Sequence, residues 1–306
     1  MRAIHRQASA SSLGLLRIVI FGTWALIPIV ERLPLLAEIP TRVFAPPGPL
    51  AILPSDTIAW LTSGGGLWAV TLLVVVGSGI VALGVLPYRA VAVSVALMIM
   101  LHQGVVRGFS GHINHAELAI AYTAFVIALF PIYDGLSIVK PTESQSTSVL
   151  MYRAPFLISM VIFTVSFSFA GVARLSEGLE FFATDTLRNL FAERWLGSIA
   201  IDQGAIREVP WYLDETLAVP IRSMFVVTTL LEIVAPVLLI WRSTRMAFVV
   251  FAIGFHVVNL AFLGVTFFEN LVLLVVFSEH WLHRVASLLD RETGGWIKRP
   301  RPVAAD

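Results

Sequence analysis

The sequence predicts an all-α integral membrane protein, a bundle of about eight transmembrane helices with both chain ends in the cytoplasm. Three observations predict it: the composition, the spacing of the hydrophobic runs and the distribution of basic residues. Of the 306 residues, 57% are hydrophobic and 13% are charged, and the mean hydropathy is +0.84. A soluble domain of this length needs a more charged surface, so lipid is expected to cover much of the outside.

The composition also excludes several kinds of chemistry. The chain has no cysteine, which rules out disulfides, thiolate catalysis, iron–sulfur clusters and cysteine-based zinc sites. A net charge of +1 gives no indication of nucleic-acid binding. The sequence contains no phosphate-binding glycine loop, no GxSxG nucleophile motif and no HExxH zinc motif.

Hydrophobic runs of membrane-crossing length occur eight times along the chain. A hydrocarbon core of about 30 Å requires about 20 apolar residues in a helix. The first run follows Arg2 and Arg6, as a signal peptide would, but its length and the absence of a small-residue cleavage pattern after it predict an uncleaved span. The predicted spans are 13–30, 67–86, 90–106, 116–133, 155–173, 222–241, 246–264 and 268–286.

The basic residues predict the orientation of these spans. Cytoplasmic connections carry an excess of Arg and Lys in short loops. With the N-terminus inside, twelve basic residues fall on the inner side, against three in the short outer connections, Arg32, Arg42 and Arg107. Both ends are therefore predicted to be cytoplasmic, in a multi-pass protein of the bacterial-type cytoplasmic (inner) membrane.

The domain organisation follows from these spans. Residues 1–12 are predicted to be a cytoplasmic N-terminus, 13–289 a single transmembrane domain and 290–306 a basic cytoplasmic tail. The long outer connection 174–221 contains apolar residues at helical spacing, Leu187, Leu190, Phe191, Trp195 and Leu196. This spacing favours either an interfacial helix on the outer leaflet or a small packed cap over the bundle.

Polar residues within the spans form two predicted groups. Charged groups in hydrocarbon cost at least about 2.5–3.5 kcal/mol, so each is a candidate functional residue. Glu232 and His256 lie at similar distances before and after the turn that joins their two helices, so both are predicted near the midplane. Asn259 lies one turn beyond His256 on the same face.

The second group is predicted near the outer ends of other spans, and its members are His102, Asn114, His115 and Arg174. Together the two groups predict a polar cavity that opens to the outside and reaches the midplane. The alternatives are a structural hydrogen bond between Glu232 and His256, and a simple interfacial anchor at Arg174. Arg17 lies about four residues into its span, and its side chain is expected to reach the cytoplasmic surface. His112 and His115 have metal-ligand spacing, but no carboxylate is placed to complete a site, so no metal is predicted.

Several short motifs resemble one family, in the order that the family shows them. They are Phe169-Ala170-Gly171-Val172-Ala173-Arg174-Leu175, Gly254-Phe255-His256-Val257-Val258-Asn259, Asn114-His115, and the opening Gly14-Leu15-Leu16-Arg17-Ile18 with Phe21-Gly22. The first three resemble vitamin K-dependent γ-glutamyl carboxylase. The fourth is typical of its bacterial relatives, the HTTM (horizontally transferred transmembrane) domain proteins. The resemblance covers roughly residues 12–285.

The resemblance implies a membrane site for a quinol of the vitamin K type. In that family a lysine deprotonates the reduced quinone, and the position of this lysine aligns with Arg174. A guanidinium stays protonated in proteins and cannot act as a general base. Because the chain also lacks the carboxylase's large lumenal domain, γ-carboxylation is not expected. The resemblance leaves Arg174 free to hold an anionic head group or an oxyanion.

Three classes of function follow from the sequence. The first is a carboxylase-like protein that binds a quinol or another lipid, with His256, Glu232 and His115 as hypothetical catalytic residues. In this class Arg174, Asn259, Asn114 and His102 bind the substrate or lipid. The second is a non-enzymatic scaffold or assembly partner of another membrane protein. The third is a proton-coupled transporter, which the absence of an inverted repeat disfavours.

Overall fold

The structure, a computed structural model, is built of helices and short connections, and the residues it describes contain no strand. It describes residues 10–31, 33–110, 115–139, 149–176, 214–263 and 268–292, together with residues 178, 182, 189, 192 and 193. Six helices in this part of the chain are long and apolar enough to cross a membrane. The prediction of an all-α, multi-pass membrane protein is confirmed at this level.

The helices are numbered in chain order. The longer ones are α1 (Ala10–Glu31), α3 (Gly64–Leu83), α4 (Arg89–Ser110), α6 (Val149–Ser176), α7 (Ala218–Val234) and α8 (Arg242–Leu263). The shorter ones are α2 (Ser55–Leu61), α5 (His115–Ala128), α9 (Phe268–Leu273) and α10 (Glu279–Glu292). Short 3-10 segments lie at Leu33–Glu38, Thr41–Val43, Gly48–Ile52, Glu215–Leu217, Val237–Leu239 and Leu274–Ser278.

Two of the eight predicted spans are shorter in the structure. The fourth corresponds to α5, whose 14 residues extend about 21 Å at 1.5 Å per residue. The eighth corresponds to an apolar run, Phe268–Ser278, followed by the amphipathic helix α10. The polar residues Glu279, His280, His283 and Arg284 end the apolar run there. The other six predicted spans coincide with the six long helices.

The chain divides into two compact units. Unit 1 comprises residues 1–160 and 272–306, and unit 2 comprises residues 161–271. The boundaries fall within α6 and α9. Unit 1 therefore contains α1 to α5 and α10, and unit 2 contains most of α6 with α7 and α8.

One end of unit 1 is organised around Arg17 of α1. Its guanidinium donates to the carbonyl oxygens of Ile132 (2.9 Å), Leu136 (2.7 Å) and Ala82 (3.3 Å), and to the Ser137 hydroxyl (2.6 Å). These acceptors belong to the end of α3 and to the segment after α5, so the start of α1 meets both. Because the Arg17 side chain is fully buried, the prediction that it reaches the cytoplasmic surface is wrong.

Glycine permits this close contact. A Cβ at Gly14 would lie 2.2 Å from the Gly135 carbonyl oxygen, so only glycine allows the segment after α5 to approach α1. The α3 helix ends at Gly84, which has φ +66°, a left-handed conformation that favours glycine. The Arg17 guanidinium also lies 5.1 Å from the centre of the Tyr133 ring. Local geometry and hydrogen bonding therefore fix this end of unit 1.

The proline-rich connection after α1 covers other parts of α3 and α4. A buried apolar cluster joins this connection to the two helices, and its members are Leu33, Leu50, Leu61, Leu67, Val70 and Val105. The Ala45 amide donates to the Gly108 carbonyl oxygen at 2.8 Å, and Phe44 packs edge-on against Phe109 at 5.0 Å. Because no helix continues through the prolines, the segment is held by packing and by 3-10 turns.

Candidate functional site

Unit 2 is organised along one face of α6. Phe163, Phe167, Gly171 and Arg174 recur at intervals of three or four residues and so lie on one side of this helix. The Ser168 hydroxyl donates to the Ile233 carbonyl oxygen at 3.0 Å. Ile233 lies in the last turn of α7, where carbonyl groups lack helical partners. This bond and the small Gly171 hold the end of α7 close to α6.

Arg174 and Glu232 form an ion pair between α6 and α7. Arg174 Nη1 donates to Glu232 Oε2; the Glu232 side chain is 2% exposed and the Arg174 side chain 24%. The guanidinium lies 5.3 Å from the centre of the Phe225 ring. A Cβ at Gly171 would lie only 3.1 Å from the Glu232 Cβ, so glycine permits the carboxylate to approach α6.

His256 lies in an aromatic cluster between α6 and α8. Its ring packs edge-on against Phe167, at 6.0 Å between ring centres, and against Phe255, at 5.4 Å. The residue is 3% exposed. The cluster continues through ring contacts among Phe163, Phe167, Phe248, Phe251 and Phe255. The imidazole is therefore packed among aromatic rings.

The structure places the first predicted group as follows. Glu232 and His256 are both buried, and both meet the same face of α6. Phe167 contacts His256, and Gly171, one turn further on, adjoins Glu232. Asn259 is half-buried on α8, three residues after His256.

Members of the second predicted group fall in different units, with His102 in unit 1 and Arg174 in unit 2. Arg174 pairs with Glu232. Helix α6 continues to Ser176, past the predicted end at residue 173, so Arg174 lies inside the helix. Asn114 lies outside the described residues, and so does the side chain of His115. Most of 177–213, including the predicted interfacial helix, also lies outside them.

His102 lies in unit 1 with polar neighbours of its own. It is fully buried in α4, and its ring packs edge-on against Trp24 of α1 at 6.1 Å. One turn further along α4, Arg107 Nη2 lies 3.4 Å from Gln103 Oε1. Trp24 and Gln103 were not predicted as site residues, because a tryptophan or glutamine in an apolar helix gives no specific signal.

The described residues hold no group of three His, Asp or Glu side chains positioned to bind a metal ion. No family model, no curated protein and no solved structure matches this chain. Among the described residues the fold is all-helical, with six helices long and apolar enough to cross a membrane. A charged pair joins two of these helices, α6 and α7.

Proposed function

We propose that this protein binds the head group of a quinol or another lipid at an outward-facing polar site formed by Arg174, Glu232 and His256. The observation that carries this proposal is the Arg174–Glu232 ion pair, which lies within apolar helices. The His256 imidazole packs against Phe167, one turn away along α6, and against Phe255. Charged residues inside membrane segments are costly, and they commonly mark ligand or ion sites. Asn259, three residues after His256 on α8, remains a predicted contributor.

The hydrogen-bonding capacity of Arg174 supports a ligand. A guanidinium has five N–H donors, and among the described residues one of them, on Nη1, bonds to a protein acceptor, Glu232. The side chain is partly exposed, so further donors can reach a head group. Arginine suits phosphate and carboxylate groups because its planar donors match their oxygens.

The proposed chemistry is limited to binding and proton handling. His256 and Glu232 are the groups that can exchange a proton with a bound quinol, whereas Arg174 cannot act as a base. We therefore propose a protein of the HTTM class, similar to the membrane part of the carboxylase, that does not carboxylate glutamate. In an assay with reduced vitamin K and a glutamate peptide, Arg174→Lys is expected to yield no carboxylated product; measurable product contradicts this view.

Mass spectrometry of co-purifying lipids tests the proposal. The wild type is expected to carry an enriched quinone or lipid that His256→Ala has lost. Val257→Ala is the matched control, since Val257 is the next residue and is 57% exposed. If neither quinone nor lipid is enriched in the wild type, the scaffold alternative is favoured, in which the same substitutions alter stability or partner binding. The transporter alternative predicts pH-driven flux in proteoliposomes.

We also propose that the chain crosses the bacterial-type inner membrane eight times, with both ends inside. The contacts of Arg17 support antiparallel neighbours, because the start of α1 meets the end of α3 and the segment after α5. The absence of cysteine makes single-cysteine labelling clean. With an impermeant maleimide on intact cells, Asp56→Cys is expected to react, and Arg89→Cys and Ser243→Cys only after permeabilisation. The reverse pattern contradicts the orientation.

A further inference from the structure

We infer that this site takes an anionic head group together with one proton, which Glu232 accepts as the anion replaces it on Arg174. The inference rests on the proposed binding site and names its ligand class, an amphiphile with a phosphate or carboxylate group. It follows from the charge balance of the pair. It also explains how a guanidinium already bonded to a carboxylate can receive a second anion.

The Arg174–Glu232 pair is neutral as a whole, and Glu232 is almost fully buried. Adding an anion alone would leave one net negative charge among apolar helices, which is unfavourable in a medium of low dielectric constant. Adding a proton to the displaced carboxylate restores neutrality. After the exchange Arg174⁺ faces the anion and Glu232 is a neutral acid.

The geometry makes Arg174 the outer partner of the pair. Its side chain is 24% exposed, against 2% for Glu232, so an incoming head group meets the guanidinium first. Phe225, half-buried on α7, lies against the guanidinium, and the buried Phe182 packs on Phe225 at 6.2 Å between ring centres. The partly exposed Phe225 ring provides an apolar surface for the chain of an amphiphile beside its charged head.

Few other charged or titratable groups lie on α7 and α8 among the described residues. Arg174 faces Glu232 from α6, and α8 contributes His256, which meets the same face of α6 one turn away. Arg242 and Arg245 lie in the first turn of α8, and Arg222 is exposed in α7. His256 is thus the alternative proton acceptor, and a variant must separate it from Glu232.

A phosphatidylglycerol with a fluorescent acyl chain is a suitable probe, because its phosphodiester stays ionised from about pH 5 to 9. Binding is measured in maltoside micelles, with the equally labelled phosphatidylcholine as the zwitterionic control. If binding takes up one proton, linkage requires the affinity for the probe to fall about tenfold for each pH unit above the pKa of Glu232. Competition by sulfate distinguishes a free-anion site from a lipid site.

Glu232→Gln is expected to bind the probe without this pH dependence. At the highest pH its affinity is expected to exceed that of the wild type by about tenfold or more. Arg174→Gln is expected to lose binding. His256→Gln, which alters the proposed site, is expected to bind more weakly but with the wild-type pH slope. Arg222→Gln is the matched control, an exposed arginine on α7, and is expected to leave affinity and slope unchanged. Calorimetry of the wild type in two buffers with different ionisation enthalpies measures proton uptake directly, whatever the stability of the variants.

Several outcomes would contradict the proposed proton coupling or the proposed site. Binding by the wild type with no pH slope and no proton uptake overturns the proton coupling and leaves the binding site standing. An unchanged slope in Glu232→Gln, or its loss in His256→Gln, assigns the proton elsewhere and also overturns the inference. Failure of the wild type to bind any probe refutes the proposed site itself.

Discussion

Each unit has an arginine that is bonded between its helices, and the two arginines differ in burial and in partners. In unit 1, Arg17 is fully buried and donates to three backbone carbonyls and a serine hydroxyl. In unit 2, Arg174 remains 24% exposed and pairs with a carboxylate. Neutral acceptors cannot change their charge near neutral pH, whereas a carboxylate can accept a proton. The first arrangement therefore suits a fixed structural contact between helices, called here the Arg17 joint. The second suits a site at which the carboxylate partner of the arginine can be exchanged for a ligand.

The long helices also differ in how much of each is buried, and α1 is more buried than α7 or α8. In the apolar windows of the membrane-crossing helices, 56% of the α1 residues are buried, against 17% for α7 and for α8. In α8 the buried residues Phe248, Ala252 and His256 follow a narrow line at intervals of four. Helices α7 and α8 therefore have fewer contacts to lose than α1, and substitutions in α1 are expected to have the larger effects on stability.

The largest expected effect is that of Arg17→Leu. The substitution removes the donors for the carbonyls of Ile132, Leu136 and Ala82, and each buried unsatisfied group costs about 1–3 kcal/mol. A loss of at least about 3 kcal/mol in the free energy of unfolding is expected. Thermal unfolding in detergent measures it, with the exposed Arg89→Leu as a control that changes stability by less than about 0.5 kcal/mol. Equal midpoints for the two variants would contradict the role of Arg17 as a joint.

Arg174→Leu is expected to have the next largest effect. It leaves Glu232 buried without its cationic partner, and breaking such a pair typically costs about 3–5 kcal/mol. Because Arg174 is partly exposed, the lower end of this range is expected. The double variant Arg174→Leu/Glu232→Leu is expected to recover stability to within about 1 kcal/mol of the wild type, since apolar replacements of buried pairs are commonly neutral or stabilising.

That double variant sharpens the comparison between the units. It restores folding while removing the proposed ligand site, so lipid retention is expected to remain lost when stability returns. Recovery of both properties together would indicate that the pair serves packing alone. No equivalent rescue is expected at Arg17, because its acceptors are backbone carbonyls that substitution cannot remove.

How much the sequence could predict differs between these regions. The six long helices follow from apolar length, because bilayer thickness fixes the residues that a span needs. Glu232 and His256 were predicted as site residues because polar and charged groups are rare in apolar helices. Arg174 was not predicted as the partner of Glu232, because spacing along the chain placed Arg174 at the outer end of its span and Glu232 near the midplane. Helix ends depend on local caps and contacts that apolar length does not report.

Arg17 shows the second kind of limit. Its position near the start of an apolar run fits a side chain that extends to the surface. Its backbone acceptors are carbonyls 65 to 119 residues away in sequence, and every residue type carries such carbonyls. Composition and spacing therefore cannot predict which carbonyls accept hydrogen bonds from Arg17. The flanking Gly14 and Gly135 mark a close approach, but a glycine alone does not identify its neighbour.

The smallest expected effect belongs to Gly171→Ala in unit 2. The new Cβ would lie 2.8 Å from Ile233 Cγ1 and 3.0 Å from the Thr229 carbonyl oxygen. The isoleucine side chain can move, but the backbone carbonyl must shift by a few tenths of an ångström, so a loss of about 1 kcal/mol is expected, as for overpacked sites. Gly254→Ala is the matched control, because a Cβ there meets nothing within 4 Å. In helix α8 that control is expected to stabilise by up to about 1 kcal/mol.

Because a wider gap between α6 and α7 lengthens the Arg174–Glu232 contact, Gly171→Ala is also expected to weaken lipid retention more than its cost in stability suggests. Equal lipid retention in the two glycine variants would show that the pair tolerates a looser helix contact, as a flexible surface salt bridge does.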